Sequence, residues 1–233
     1  MDPAYVLVHS LLLGPQTWAS VAARLSASGA ATVVPSLLAV ADADPPFWPS
    51  VVDKVNAAVS QLPQGQPLFV VAHSNAGLFV PVIVDAAQYP VAGCLFVDAR
   101  LPCRTGPTPT ASPERLSFLR AKVTEGRLPQ WTTWWDEAEV ALLFPDEQTI
   151  LEVSAEQPRL PLSYYEQQIP VPDGWDNRRC GYLLFGPPYD HVAQDARERG
   201  WDVEHVPGHH LNQLVDPDTV TARIVAMSDR RSL

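Results

Sequence analysis

The chain has 233 residues, 46% of them hydrophobic, and a formal net charge of −10. That length buries one substantial core, and the acidic balance excludes binding to a phosphate backbone, which needs a basic footprint. No apolar run approaches the ~20 residues of a membrane-spanning helix, and three cysteines without C-x-x-C spacing (Cys94, Cys103, Cys180) predict reduced thiols of a cytoplasmic protein rather than disulfides or a zinc site.

The first strand-like run begins at Tyr5, which is expected to leave no room for a signal peptide. Tyr5-Val6-Leu7-Val8 suits a parallel strand buried on both faces. After His9-Ser10-Leu11-Leu12-Leu13-Gly14, the apolar residues Trp18, Val21, Ala22 and Leu25 recur at helical spacing, and Gly29 closes that helix. Ala31 to Pro35 reads as a second strand. A proline- and acid-bearing loop, Ala39 to Pro49, leads into a helix over Phe47 to Leu62, with Val51, Val52, Val55 and Val59 on one face.

The stretch 67–77, Pro-Leu-Phe-Val-Val-Ala-His-Ser-Asn-Ala-Gly, organises the rest. The apolar run Leu68 to Ala72 ends abruptly at His73-Ser74, small residues follow, and Leu78 to Ala87 is long enough for a helix that Pro81 is expected to kink. A strand, a sharp turn and a helix lift a serine clear of a sheet, as in a nucleophile elbow. So tight a turn needs small residues two before and two after the serine, and Ala72 and Ala76 stand there instead of glycines. The alternative is that Ser74 merely caps the following helix. Val91 to Val97 is a further strand, ending at Asp98. Four alternations of β and α indicate a parallel sheet with helices on both faces.

From 101 to 176 the pattern changes to prolines, acids and aromatic residues (Trp131, Trp134, Trp135, Tyr164, Tyr165, Trp175) with no clear strand. This predicts a mostly helical cap inserted into a core made of 1–100 and 177–233. The acids form a solvated face, most of the aromatics form cap core, and Trp134 and Trp135 are the candidates for substrate contact. The sheet resumes at Tyr182 to Gly186, a helix spans Tyr189 to Gly200, and Trp201 to Val206 is the last strand. Pro207-Gly208-His209-His210-Leu211 follows, and Asp216-Pro217 opens the final helix as N-cap and first helical residue.

From end to end these features resemble the α/β-hydrolases. The resemblance implies an α/β fold, a mostly parallel doubly wound sheet with the cap before the penultimate strand. A serine hydroxyl needs an adjacent base, and six histidines are present. The proline-glycine register before a D-P helix start selects His210 over His209 as the base for Ser74, with His73 packed under the elbow. His9 to Gly14, followed by Trp18, resembles the family's oxyanion loop, so a backbone N–H of Leu11 or Leu12 would act with the amide of Asn75. Most relatives have His-Gly where this chain has His9-Ser10. Plant hydroxynitrile lyases, close to the methyl esterases, have His-Thr there, and the threonine helps hold substrate. Ser10 either does likewise or ties down its own loop. The lyases' lysine after the histidine is replaced here by Leu211, which favours esterase-type chemistry.

Two residues compete for the triad acid. Asp190 occupies the more usual family position, whereas Asp98 ends the strand before the cap. The short span from Asp190 to His210 must hold a helix and a strand, which makes Asp190 look like a helix N-cap and favours Asp98. The expected function is a serine hydrolase cleaving an ester or thioester of a small acyl or aromatic substrate through an acyl-enzyme. Neither cofactor nor metal is expected, and the partner is a small-molecule substrate rather than nucleic acid or membrane, with the oligomeric state open. A lyase or cyclase of specialised metabolism, using Ser74 and His210 for acid–base work, and a non-catalytic small-molecule receptor are the alternatives on the same fold.

Overall fold

The computed structural model describes residues 2–230. Its elements run β1 (Ala4–Val8), α1 (Gln16–Ala27), β2 (Thr32–Val33), α2 (Trp48–Val59), β3 (Leu68–His73), α3 (Val80–Asp85) and β4 (Val91–Val97). An insertion follows, with β5 (Thr108–Pro109), α4 (Pro113–Arg120), α5 (Glu137–Ala141), α6 (Glu147–Glu156) and β6 (Gln168–Ile169). The chain closes with β7 (Arg179–Leu184), α7 (Asp190–Glu198), β8 (Asp202–His205), α8 (Asn212–Val215) and α9 (Pro217–Asp229). Residue 1 and residues 231–233, the outer ends of the expected core ranges, lie outside the described residues.

Among the described residues, six strands form one parallel sheet in the order β2-β1-β3-β4-β7-β8. The chain steps from β1 outward to β2, then returns past β1 to β3 and continues in the other direction. That reversal between β1 and β3 opens a crevice at the carboxyl ends of the strands, where ligands of such sheets bind. β3 delivers Ser74 to that edge.

Successive side chains of a strand point to opposite faces, and β1 shows why its unbroken apolar run is needed. Val6 and Val8 join the cluster that contains Val51 and Val55 of α2, and Ala193 and Ala196 of α7. Tyr5 and Leu7 join the cluster on the other face, with Trp18, Val21 and Leu25 of α1, and Val220 and Ile224 of α9.

Helix ends follow local chemistry. Gly29 takes φ +88° just past α1, a left-handed position that costs glycine nothing. Asp216 Oδ1 accepts the Thr219 N–H at 3.1 Å at the start of α9, with Pro217 in its first turn. Pro81 does not kink a helix as expected. Residues Ser74–Phe79 form a tight 3₁₀ turn, α3 begins only at Val80, and Pro81 falls in its first turn, where no N–H is required. The insertion, expected to be mostly helical with no clear strand, also contains a short strand pair, because β5 and β6 pair antiparallel, Thr108 opposite Ile169 and Pro109 opposite Gln168. Two-residue strands are too short to show periodicity. No helix among the described residues is long and apolar enough to cross a membrane.

Candidate active site

β3 ends at His73, and Ser74 turns the chain with φ +58°. A side-chain-bearing residue in that region costs about 1–3 kcal/mol and persists only where its surroundings hold it. Here the carbonyl of Ser74 accepts the Arg100 N–H at 3.0 Å, which ties the elbow to the chain leaving β4. Ala72 and Ala76 are fully buried. The tightest approach is at Gly77, where an added Cβ would stand 2.2 Å from the carbonyl oxygen of Arg100. Any side chain there would push β4's exit away from the serine. The Ser74 hydroxyl caps no helix; it faces His210 instead.

Ser74 Oγ lies 2.9 Å from Nε2 of His210, and His210 Nδ1 lies 2.6 Å from Oδ2 of Asp98. In the neutral imidazole, Nδ1–H donates to the carboxylate, and Nε2 accepts from the serine hydroxyl. Asp98 is fully buried at the end of β4 with φ +42°. Its Oδ1 accepts the Phe185 N–H at 3.0 Å, and its own N–H donates to the Leu183 carbonyl at 2.8 Å. The end of β7 therefore holds the Asp98 backbone and one carboxylate oxygen, leaving the other oxygen to His210. His73 Nε2–H donates to the backbone carbonyl of His210 at 2.8 Å, so the histidine beside the serine anchors the loop that carries the other one. Burial, and then the neighbouring His210, holds the His73 ring well below its ordinary pKa, so it stays neutral.

Asp190 is the first residue of α7, is exposed, and bonds neither His210 nor, as an N-cap, the helix backbone; the cap position belongs to Tyr189. The N-cap expectation for Asp190 is thereby corrected, because Asp190 is itself the first helical residue and the cap position falls on Tyr189. Tyr189 itself stacks on the His210 ring at 5.0 Å between centroids and 3° between planes. Burial pushes its phenol up to about 12, so it remains protonated.

The loop after β1 is held by its own side chains. His9 Nδ1–H donates to the Ser10 carbonyl at 2.8 Å, and its Nε2 accepts the Leu37 N–H at 2.9 Å. Burial lowers this histidine to about 4. Ser10 Oγ donates to Asn75 Oδ1 at 2.9 Å and accepts the Leu12 N–H at 3.2 Å. The Leu11 N–H donates to the same Asn75 oxygen at 3.0 Å. Ser10, buried and bonded on both sides, ties down its own loop and does not line the cavity. Leu11 and Leu12 both spend their N–H groups at rest, on Asn75 Oδ1 and Ser10 Oγ respectively, while Leu12 and Asn75 line the cavity. The Asn75 N–H lies in the first turn of the 3₁₀ segment, where it has no intrahelical partner.

A cavity of about 810 Å³ opens above Ser74 and His210, a volume suited to a small organic ligand. Trp131, Trp135 and Tyr165 of the insertion line it, together with Tyr189 and His209. Of the two tryptophans expected to contact substrate, Trp135 lies on this wall and Trp134 does not: it is buried, and its indole N–H donates to the Pro129 carbonyl at 2.9 Å. Trp131 takes the wall instead, its ring 6.2 Å from that of His210 and 5.1 Å from that of Trp135.

The sequence profile of the alpha/beta hydrolase family matches residues 5–223. The chain belongs to the α/β-hydrolase family. Solved structures share its fold over nearly the whole length. Polyneuridine aldehyde esterase is 14% identical with a TM-score of 0.70, covering 98% of this chain and 100% of the esterase. Tomato methylketone synthase I complexed with 2-tridecanone is 12% identical with a TM-score of 0.75, covering 98% of each chain. An extracellular alpha/beta-hydrolase from a Paenibacillus species is 13% identical with a TM-score of 0.75, covering 99% of this chain and 100% of that one. At such identities the likeness speaks to the fold. No curated protein matches the chain significantly in sequence.

Three residues of this α/β-hydrolase escaped sequence reasoning. Gly77 follows the small-residue turn and could have been read as one more close approach. Trp131 stands four residues before Trp135, a spacing that could have paired them. Tyr189, in a Pro-Pro-Tyr turn, carries no sequence signal for its stack on His210.

Proposed function

We propose that this α/β-hydrolase is a serine esterase, cleaving a carboxylic ester or thioester of a small acyl or aromatic substrate through an acyl-enzyme. The observation that carries the reading is the unbroken hydrogen-bonded line from Ser74 through His210 to a buried, doubly bonded Asp98.

Ser74 Oγ attacks the substrate carbonyl carbon while its proton passes to His210 Nε2. The imidazolium is stabilised by the Asp98 carboxylate at Nδ1. The tetrahedral oxyanion accepts hydrogen bonds from the backbone N–H of Asn75 and from that of Leu12, which gives up its 3.2 Å bond to Ser10 Oγ to do so. Collapse breaks the bond to the leaving oxygen or sulfur, which takes the proton from His210 and departs. Water then attacks the acyl-enzyme, giving its proton to Nε2, and the second collapse returns that proton to Ser74 and frees the carboxylic acid. Residues 101–176 act as a cap that shapes the acyl or aromatic site without supplying a reacting group, and the free thiols suit a cytoplasmic location.

A panel of p-nitrophenyl esters of graded acyl length tests the reading. Turnover with a pre-steady-state burst is expected for some member, and Ser74→Ala should abolish both. Turnover retained in that variant would exclude an acyl-enzyme on Ser74.

A further inference from the structure

Part of the cavity wall is cationic, although the chain as a whole is acidic. Arg100 and Arg115 both line the cavity, with Glu139 as the single carboxylate there. Among the described residues Arg115 makes no ion pair, Glu139 included, while seven other arginines of the chain do. Its guanidinium rests on the rings of Phe118, at 4.9 Å, and Trp134, at 5.4 Å, so its position is set by packing while its five N–H donors stay uncommitted. Arg100 is anchored differently: its guanidinium donates to the backbone carbonyls of Thr110 and Pro109, which fix it without neutralising it. Tyr165, on the same wall, is buried and has a hydroxyl with no hydrogen-bond partner. Both guanidiniums act on this phenol, opposing the rise that burial imposes on it.

An unpaired guanidinium, a second fixed one and an orphaned phenol O–H make three donors with no acceptor among them. Leaving them so is costly inside a partly desolvated cavity, and a carboxylate is the ligand that matches a planar guanidinium with two parallel N–H···O bonds. Resting on the serine-esterase reading above, we infer that the substrate is an ester that carries a second, ionised carboxylate, held by Arg115 with Arg100 and Tyr165 while Ser74 reaches the ester carbonyl.

The test compares matched esters on wild type and Arg115→Gln. The carboxylate is placed on the acyl side in p-nitrophenyl hydrogen glutarate, against p-nitrophenyl pentanoate. It is placed on the alcohol side in 3-carboxyphenyl butyrate, against phenyl butyrate. In one of the two pairs the wild type should prefer the anionic ester, and the anionic-to-neutral ratio of kcat/KM should fall about tenfold or more in Arg115→Gln, chiefly through KM. Arg115→Lys should recover part of the ratio, since it keeps the charge but loses the fork. A neutral preference in both pairs, or a ratio that Arg115→Gln leaves unchanged, overturns the inference. Should no ester turn over, the esterase reading falls, and calorimetry of monomethyl glutarate with Ser74→Ala decides the anion site alone. Binding lost in the Ser74→Ala/Arg115→Gln double variant supports it, and absence of binding to Ser74→Ala rejects it.

Discussion

Asp98 Oδ2 stands 2.6 Å from Nδ1 of His210 and so joins the residue that ends β4 to the loop that follows β8. That contact holds one tautomer of the imidazole, with the unprotonated Nε2 turned to the serine. Asp98→Asn presents an amide where the carboxylate accepts, and should cost on the order of 10⁴ in kcat. Asp190→Asn should leave kcat within about twofold, because its exposed side chain touches neither histidine nor helix backbone. Asp190→Ala should melt close to wild type for the same reason. Kinetics and thermal melts on these variants check all three expectations. An inactive Asp190→Asn beside an active Asp98→Asn would move the acid to the loop after β7.

Trp131 and Trp134 should separate cleanly. Trp131→Ala opens the cavity wall next to His210 and should change KM and acyl-length preference more than the rate on the shortest activated ester. Trp134 is packing, with its indole N–H satisfied inside the insertion. Trp134→Ala should lower stability by about 3 kcal/mol, read as a fall in Tm. The prediction fails if Trp134→Ala leaves Tm unchanged.

Stability should fall on mild acidification. His9 is lowered by burial from 6.5 to about 4, and His73 is lowered as well, whereas in the unfolded chain both titrate near 6.5. Between those values the unfolded state binds more protons, so stability is fully present above about pH 6.5 and is lost as pH falls toward 4. His9 alone contributes on the order of 3 kcal/mol across that window. Denaturant midpoints measured from pH 7.5 to 4.5 should decrease steadily. His9→Gln should flatten part of that slope even if it lowers the midpoint at neutral pH, and an equal slope in the variant would mean that His9 is protonated in the fold.

Much of this site was legible because backbone constraints write themselves into composition. Ala72 and Ala76 mark a turn that tolerates no bulk, and Pro207-Gly208 marks the loop that carries His210. Asp98 followed from its place at a strand end and from the short span after Asp190. What stayed hidden depends on contacts between distant segments. Ser10 is occupied because Asn75, on the next strand's turn, takes its hydrogen bond. Trp131 and Trp134 lie in an irregular stretch where no period says which ring faces inward. Tyr189 meets His210 only when the turn after β7 folds back over the loop after β8. The pairing of β5 with β6 involves two residues on each side, one of them a proline that weakens any strand signal.

The most direct measurement of the central claim is intact-mass analysis after exposure to a fluorophosphonate, with the labelled peptide sequenced. Phosphonylation of the activated serine should expel fluoride and leave one adduct per chain on Ser74. Ser74→Ala should show none, and His210→Ala should label far more slowly while His209→Ala labels at near the wild-type rate. An adduct that persists in Ser74→Ala, or a wild-type chain that never labels yet hydrolyses esters, would contradict nucleophilic catalysis by Ser74.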